Sequence, residues 1–346
     1  MSADQSGRGT SRSLVIQADA GRLPLPDASV DLIVTSPPYF ALRSYTDGGT
    51  HLAGQVGSEA TPGEFLEALL AATAECVRVL KPSGSLWVNL GDKYAGHTPG
   101  SSGGSSDGET RRAARPVVSL PGRPKSLLGL PWRYALRCVD ELGLTLRAEV
   151  IWSKPNALPE SVKDRMRRSH EQWFHFTLGP RYYAALDEIR EPYQSADRRP
   201  GSGGGKWAQG TDAIVGVHAS STDKKGRLNQ YAHPRGRVPG SVWTIPTAPL
   251  RLPDHLGVQH FAAFPPEWPR RLILAFCPPG GVVLDPFGGT GTTALVARGL
   301  QRTGISVDLS WDYCRVAQWR TSDPKQLAKV TPLAVTQLAL DDEVAS

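Results

Sequence analysis

The chain has 346 residues, and 39 Lys and Arg against 33 Asp and Glu leave a formal net charge of +6. At roughly 100 to 200 residues per domain, this length predicts two folding units or one large unit with an insertion. Hydrophobic residues make up 40%, and no run approaches the ~18 consecutive apolar residues of a spanning helix, which excludes an integral helical membrane protein. Residues 1–13 are polar and Gly/Ser-rich, without the apolar core of a secretory signal, so the expectation is a disordered N-terminal segment and a cytoplasmic location. Cys76, Cys138, Cys277 and Cys314 lie far apart, which suits neither a disulfide framework nor the paired spacing of a zinc site. They read as buried thiols.

In chain order, residues 14–17 and 30–34 are short apolar strands. Residues 61–80 follow a Thr61-Pro62 start with Phe65, Leu66, Leu69, Leu70, Val77 and Leu80 on one helical face. A strand is expected at 85–90, then a flexible basic loop over 96–125, where Gly-Ser repeats give way to Arg111, Arg112, Arg115, Arg123 and Lys125. A helix at 132–142 and a strand at 145–152 come next. Residues 195–240 hold eight basic side chains (Arg198, Arg199, Lys206, Lys224, Lys225, Arg227, Arg235, Arg237) against Asp197, Asp212 and Asp223. Two flexible basic segments beside a structured body predict a polyanion groove. Helices at 268–276 and 292–300 alternate with strands at 282–284 and 304–307. This alternation predicts an α/β fold, a mostly parallel sheet with helices on both faces. Nine tryptophans, Trp132, Trp152, Trp243 and Trp268 among them, are expected in the core.

Residues 281–300 (GVVLDPFGGTGTTALVARGL) read as strand, Gly-rich turn and helix, and Gly289, Gly291 and Ala294 satisfy G-x-G-x-x-G/A. Asp308 ends the next strand, at the spacing from which an acid receives ribose hydroxyls in nucleotide-binding βαβ units. A dinucleotide dehydrogenase therefore competes at this point. Asp285, just before the turn, would repel a pyrophosphate and suits a ligand with ammonium and sulfonium charges, which points to S-adenosylmethionine rather than NAD. Only 38 residues follow Asp308, so the remaining strands of the sheet must come from earlier in the chain.

The strand at 30–34 runs into Thr35-Ser36-Pro37-Pro38-Tyr39. Two prolines fix φ and remove backbone donors, so the peptide carbonyls of this turn can face a ligand as acceptors. Acceptors at both N–H groups of an exocyclic amine would help its nitrogen pyramidalise and attack a methyl group. Ser36 Oγ and the Pro37 carbonyl are the nominated pair. Tyr39 offers a π-face to a base taken out of the duplex. A Pro-Pro pair after a strand also serves as simple loop punctuation.

TSPPY near the N-terminus and DPFGGTGTT near the C-terminus together resemble the permuted (β-group) amino-group DNA methyltransferases, in which the catalytic motif precedes the cofactor motif. GSLWVNLGDKY, EVIWSKPNALPES with Arg165, His170 and Glu171, and HFAAFPPEW look like further family segments. The resemblance implies a Rossmann-like S-adenosylmethionine-dependent methyltransferase fold, circularly permuted, with an inserted target-recognition region. Its halves would be 14–190 (catalytic) and 258–322 (cofactor), with the insertion at 191–257 and a tail at 323–346. It makes Ser36, Pro37, Pro38 and Tyr39 the target-amine site. Asp285, Phe287, Gly289 and Gly291 would surround the methionine part of the cofactor, with Thr292 and Thr293 close to the turn. Asp308 would bind the ribose, Asp19 would lie near the adenine, and Phe264 would pack against the cofactor. The family commonly has Gly where this chain has Ser306 and Ala18.

Serine at the head of SPPY is, in this family, more usual in cytosine-N4 enzymes, whereas adenine-N6 enzymes more often carry Asp. The chemistry alone leaves the base open, because both amines carry two N–H groups. DNA contacts are expected from Lys154, Arg198, Arg199, Lys224, Lys225, Arg227, Arg235 and Arg237, with Asn229 or Gln230 on base edges. The partners implied are duplex DNA and a cognate restriction endonuclease, with no membrane; the oligomeric state stays open. No metal is expected, since His170-Glu171 lacks an H-E-x-x-H pattern and direct methyl transfer needs none. The rival readings are a non-catalytic DNA-binding platform on the same fold and an amine methyltransferase acting on RNA or protein.

Overall fold

The computed structural model describes residues 11–41, 46–47, 50–51, 54–96, 123–157, 159–192, 233, 235–250, 252–253, 256–258 and 263–332. The elements are β1 (Ser13–Gln17), β2 (Val30–Thr35), a hairpin of β3 (Thr46–Asp47) and β4 (Thr50–His51), α1 (Pro62–Val79), β5 (Leu80–Leu90), α2 (Leu130–Asp140), β6 (Thr145–Ser153), β7 (His170–Thr177), β8 (Val242–Thr244), α3 (Glu267–Phe276), β9 (Val282–Asp285), α4 (Thr292–Gly299), β10 (Thr303–Asp308), α5 (Trp311–Ser322) and α6 (Pro324–Ala328). Eight strands form one sheet in the order β1-β10-β9-β2-β5-β7-β6-β8. Every neighbouring pair is parallel except those made by β7, which runs antiparallel between β5 and β6. The expected mostly parallel α/β sheet is present.

Sequence chemistry accounts for the elements. All six residues of β2 (VDLIVT) are buried, as a central strand covered on both faces requires. Helix α1 opens with a full capping box, Thr61 and Glu64 satisfying each other's backbone N–H groups, with Pro62 in the first turn. Its apolar stripe, Phe65, Leu66, Leu69 and Leu70, packs with Leu86 and Val88 of β5 and with Tyr134 of α2. Trp87 alternates with those strand residues, so it faces the other side of the sheet and meets Phe276 of α3 at 5.2 Å. Helices therefore cover both faces. All four cysteines are buried free thiols.

The described residues fall into two compact units, one drawn from 1–184 and 241–346 and one from 185–240. The second unit overlaps the expected insertion at 191–257. Residues 242–244 belong to the main sheet, because Trp243 is buried in a 4.7 Å stack on Trp268 and β8 pairs with β6. The expected tail after 322 carries a helix: Asp323 caps α6 through the Lys325 and Gln326 N–H groups, and Val330 sits where a side chain at Gly299 would be. Ser13, assigned to the N-terminal segment, already pairs with Gly304. Trp152, Trp243 and Trp268 are core residues, but Trp132 is 42% exposed and only its ring edge meets Phe174. No helix among the described residues is long and apolar enough to cross a membrane.

His175 on β7 is buried, its ring stacked on Trp87 at 4.4 Å with Nε2 3.0 Å from Ser85 Oγ. Burial pushes its pKa down to about 3, so the folded protein keeps it neutral. The unfolded chain protonates it below roughly pH 6.5, so its stabilisation is complete above that pH and declines as pH falls towards 3. Urea unfolding at pH 7 and 5.5 should show the wild type losing about 1 kcal/mol more than His175→Gln across that interval. Equal losses would contradict this assignment.

Candidate active site

From β2 the chain passes through α1 to β5 on one side, and from β9 through α4 to β10 on the other. β2 and β9 are themselves paired, at Leu32 with Val283 and Ile33 with Leu284. Their carboxyl ends therefore flank the point where the strand order reverses, the place where open α/β sheets leave a crevice for ligands. The turn Ser36–Tyr39 leaves one strand there, and the Gly-rich turn leaves the other.

Asp285 locks the two turns together. Its side chain is 1% exposed; Oδ1 accepts from Thr35 Oγ1 at 2.7 Å and from the Phe287 N–H at 3.2 Å, and Oδ2 accepts from Thr293 Oγ1 at 2.9 Å. Burial raises its pKa to about 6, against the opposing pull of the three donors. Both oxygens are engaged by donors on β2, α4 and the turn, and the pocket wall begins at the next residue, Pro286. Thr292 and Thr293 likewise sit behind the turn, Thr292 Oγ1 accepting from the buried Arg320 guanidinium at 2.9 Å. Gly291 enters α4 at φ +74°, and a Cβ there would lie 2.8 Å from that of Ala317. The departure at Ser306 finds its explanation in Gly288, since a Cβ on Gly288 would stand 1.9 Å from Ser306 Oγ.

A pocket opens at the carboxyl edge of the strands. Asp19 and Ala20 follow β1, Ser36 and Pro38 follow β2, Pro286, Phe287 and Gly289 follow β9, and Asp308, Leu309 and Ser310 close β10 and its exit. Gly54, Gln55, Val56 and Tyr313 complete the wall. The Gly289 N–H donates to Asp308 Oδ2 at 2.8 Å and the Ser310 N–H to Oδ1 at 2.9 Å, so the 19-residue spacing closes as a direct contact. Asp19, Ser36, Pro38, Phe287, Gly289 and Asp308 thus line one pocket. Phe264 is not among them: its ring meets Trp173 edge-on at 5.7 Å, in an aromatic cluster with Trp268 and Trp243. Gln55, Ser310 and Tyr313 escaped the sequence reading; the Ser310 N-cap of α5 was the available signal.

Beside the pocket lies a polar corner that sequence reasoning also missed. Ser36 Oγ donates to Asn89 Oδ1 at 3.2 Å, and the Asn89 amide donates to the Gln172 carbonyl at 3.0 Å, which orients the oxygen towards the turn. The Tyr39 hydroxyl lies 2.9 Å from Asn89 Oδ1 and 2.8 Å from Glu171 Oε2. It has one proton to give, and the carboxylate is the stronger acceptor. A side chain at Gly91 would come within 2.6 Å of the Tyr39 ring, so glycine there leaves room for it. Lys154, expected on a DNA phosphate, is instead ion-paired with Glu171 and lies 4.0 Å over the Trp152 ring, with about a sixth of its side chain exposed. Of the other expected DNA contacts, Arg198, Arg199, Lys224, Lys225 and Arg227 lie outside the described residues, as do Asn229 and Gln230. Arg235 pairs with Glu188 and Arg237 with Glu191 within the 185–240 unit.

A family model described as a DNA methylase, of N6/N4 type, matches residues 30–319. The chain belongs to this DNA methylase family. Among its relatives, the type II methyltransferase M.XycI of Xanthomonas campestris pv. cyanopsidis is 37% identical over 294 residues, covering 85% of this chain and 81% of that protein. M.Cfr9I of Citrobacter freundii is 35% identical with the same coverage. Among solved structures, the PvuII DNA methyltransferase (cytosine-N4-specific) superposes with a TM-score of 0.60 at 19% identity, covering 93% of this chain and 92% of that one. A putative DNA modification methylase from Thermus thermophilus, complexed with S-adenosyl-L-methionine, gives 0.50 at 23% identity, covering 93% and 96%. The methylase fold of this chain is therefore the one these structures share.

Removing the clamp in this methylase takes the acceptor from the buried Thr35 hydroxyl and the Phe287 N–H and leaves Thr293 Oγ1 only the Val34 carbonyl at 3.4 Å. Asp285→Ala should lower unfolding free energy by about 3 kcal/mol in denaturant titration. An unchanged midpoint and slope would show that the clamp contributes nothing.

Proposed function

We propose that this methylase transfers a methyl group from S-adenosylmethionine to the exocyclic N4 amine of cytosine flipped from duplex DNA, as a member of the permuted group. The observation that carries this reading is that Ser36 and Asp308 both line one pocket, bringing the acceptor turn and the ribose-type acid together. The residues fit the cofactor. The Gly289 and Ser310 N–H groups orient the two Asp308 oxygens at the pocket wall, Phe287 and Tyr313 supply aromatic surface, and Asp19 lines the same pocket.

When bound, S-adenosylmethionine supplies an electrophilic methyl group. Ser36, already donating its own proton to Asn89, presents lone pairs that accept an N–H of the target amine, and the Pro37 carbonyl is the second acceptor. These two bonds favour the pyramidal nitrogen whose lone pair attacks, and they stabilise the positive charge that develops on it. The surplus proton then leaves along the same acceptors to solvent. Tyr39, held at its hydroxyl by Glu171, offers the base its ring face, a contact of the kind worth about 1 to 3 kcal/mol. Serine at the head of the turn, and the shared fold of the cytosine-N4-specific PvuII methyltransferase, support N4 over adenine N6. The type II relatives support a restriction endonuclease as cognate partner. The 185–240 unit, with Arg235 and Arg237, supplies the target-recognition surface.

Purified protein incubated with isotope-labelled S-adenosylmethionine and mixed-sequence duplex DNA should yield labelled N4-methylcytosine after nucleoside digestion and mass spectrometry. Labelled N6-methyladenine would overturn the base assignment, and no labelled nucleoside would overturn the reading. Ser36→Ala should lower kcat by about 100-fold while cofactor affinity stays within about twofold.

A further inference from the structure

β6 is parallel to β5, since both lie antiparallel to β7, so the β6–β7 connection at residues 154–169 leaves the sheet at the same edge as the Ser36 turn and the Gly-rich turn. The connection is strongly basic, with Lys154, Lys163, Arg165, Arg167 and Arg168 against Glu160 and Asp164. Two of these cations fasten it. Arg165 lies 3.9 Å over the Tyr94 ring, pairs with Glu160 at 2.8 Å and donates to the Met166 carbonyl at 3.0 Å. Arg168 reaches Asp92 at 3.6 Å, whose carboxylate accepts the Gly129 and Leu130 N–H groups at the start of α2. Asp92 and Tyr94 directly follow β5, and Asp92 is three residues, at most about 11 Å, from the Asn89 that holds Ser36.

Between these anchors stands Met166, 89% exposed and the most exposed large hydrophobic side chain among the described residues. Lys163 and Arg167 flank it, both exposed and neither with a carboxylate partner among the described residues. Arg167 donates to the Ala157 carbonyl at 3.5 Å. A tethered loop that holds an unbranched apolar chain out into water between two exposed cations not matched to a carboxylate fits one partner. Duplex DNA offers phosphates for the cations and, once a base has been extruded, a gap in the stack for a slender apolar side chain.

We infer that Met166 is a wedge that enters the helix and fills the space vacated by the target base, with Lys163 and Arg167 on the flanking phosphates. The inference rests on the proposed base-flipping methylation of duplex DNA. It places a DNA contact on the catalytic unit itself, in a segment apart from the basic insertion.

The test uses the full chain and a duplex carrying a methylated site located by sequencing the methylated product, with the target either paired or opposite an abasic position that leaves it unpaired. Met166→Ala should slow single-turnover methylation of the paired duplex by about tenfold or more, stay within about twofold of wild type on the unpaired target, and be rescued by Met166→Leu. The Lys163→Ala/Arg167→Ala pair should reduce the slope of log affinity against log salt by about 2. A Met166→Ala rate equal to wild type on the paired duplex overturns the wedge, as does an equal loss on both substrates. Wild-type protein that methylates neither duplex overturns the underlying reading, and the wedge with it.

Discussion

Everything in the site depends on one buried carboxylate. Asp285 ends β9, yet its oxygens are held by Thr35 at the end of β2, by Thr293 in α4 and by the Phe287 N–H of its own turn. Chain segments about 250 residues apart in sequence thus share a single hydrogen-bonded junction at the reversal point of the sheet. An ionisable group without solvent costs free energy, visible in its pKa of about 6. Three donors offset that cost, and in return the acceptor turn and the Gly-rich turn face one pocket in fixed register. Polar groups buried in this way specify an arrangement rather than merely adding stability.

The same logic runs outward from the junction. Arg320, buried beneath the Gly-rich turn, donates to the Thr290 carbonyl and hydroxyl and to Thr292, which stiffens the turn from behind. With no carboxylate beside it, its guanidinium pKa is lowered to about 10 by burial. On the other side, Asn89, Tyr39, Glu171 and Lys154 connect the acceptor turn to β5, β7 and β6. Each turn is braced by side chains that do not themselves line the pocket. Preorganisation of this kind would let the acceptors proposed for the target amine act without first rearranging.

Much of this was legible in the sequence, for identifiable reasons. Strands β2, β9 and β10 are short apolar runs bounded by turn residues, and α1 announces itself with Thr61, Pro62 and Glu64. The spacing from Gly289 to Asp308 reflects a real contact. Strand β7 was harder: its polar start, His170-Glu171-Gln172, masks the buried run Trp173 to Thr177, although Gly179-Pro180 marks its end. Side-chain direction was harder still. Asp285 adjoins the pocket residue Pro286 and Phe264 was placed by the family resemblance alone, yet burial turns one into a clamp and aromatic packing draws the other onto Trp173. Lys154 looked like a phosphate contact because its partner, Glu171, is distant in sequence and only the antiparallel pairing of β6 with β7 brings them together.

The central claim is that the junction at Asp285 makes one site of two turns. Thr35 contributes a hydroxyl to that junction from β2 and lies outside the wall of the proposed cofactor pocket. Calorimetric titration of S-adenosylmethionine into Thr35→Val, with folding checked by unfolding midpoint, isolates the coupling. The account predicts that cofactor affinity falls by about fivefold or more, the loss of one charge-assisted hydrogen bond passed on through the turn. Wild-type affinity in a folded Thr35→Val protein would show that the Gly-rich turn holds its geometry without β2, and would contradict the account.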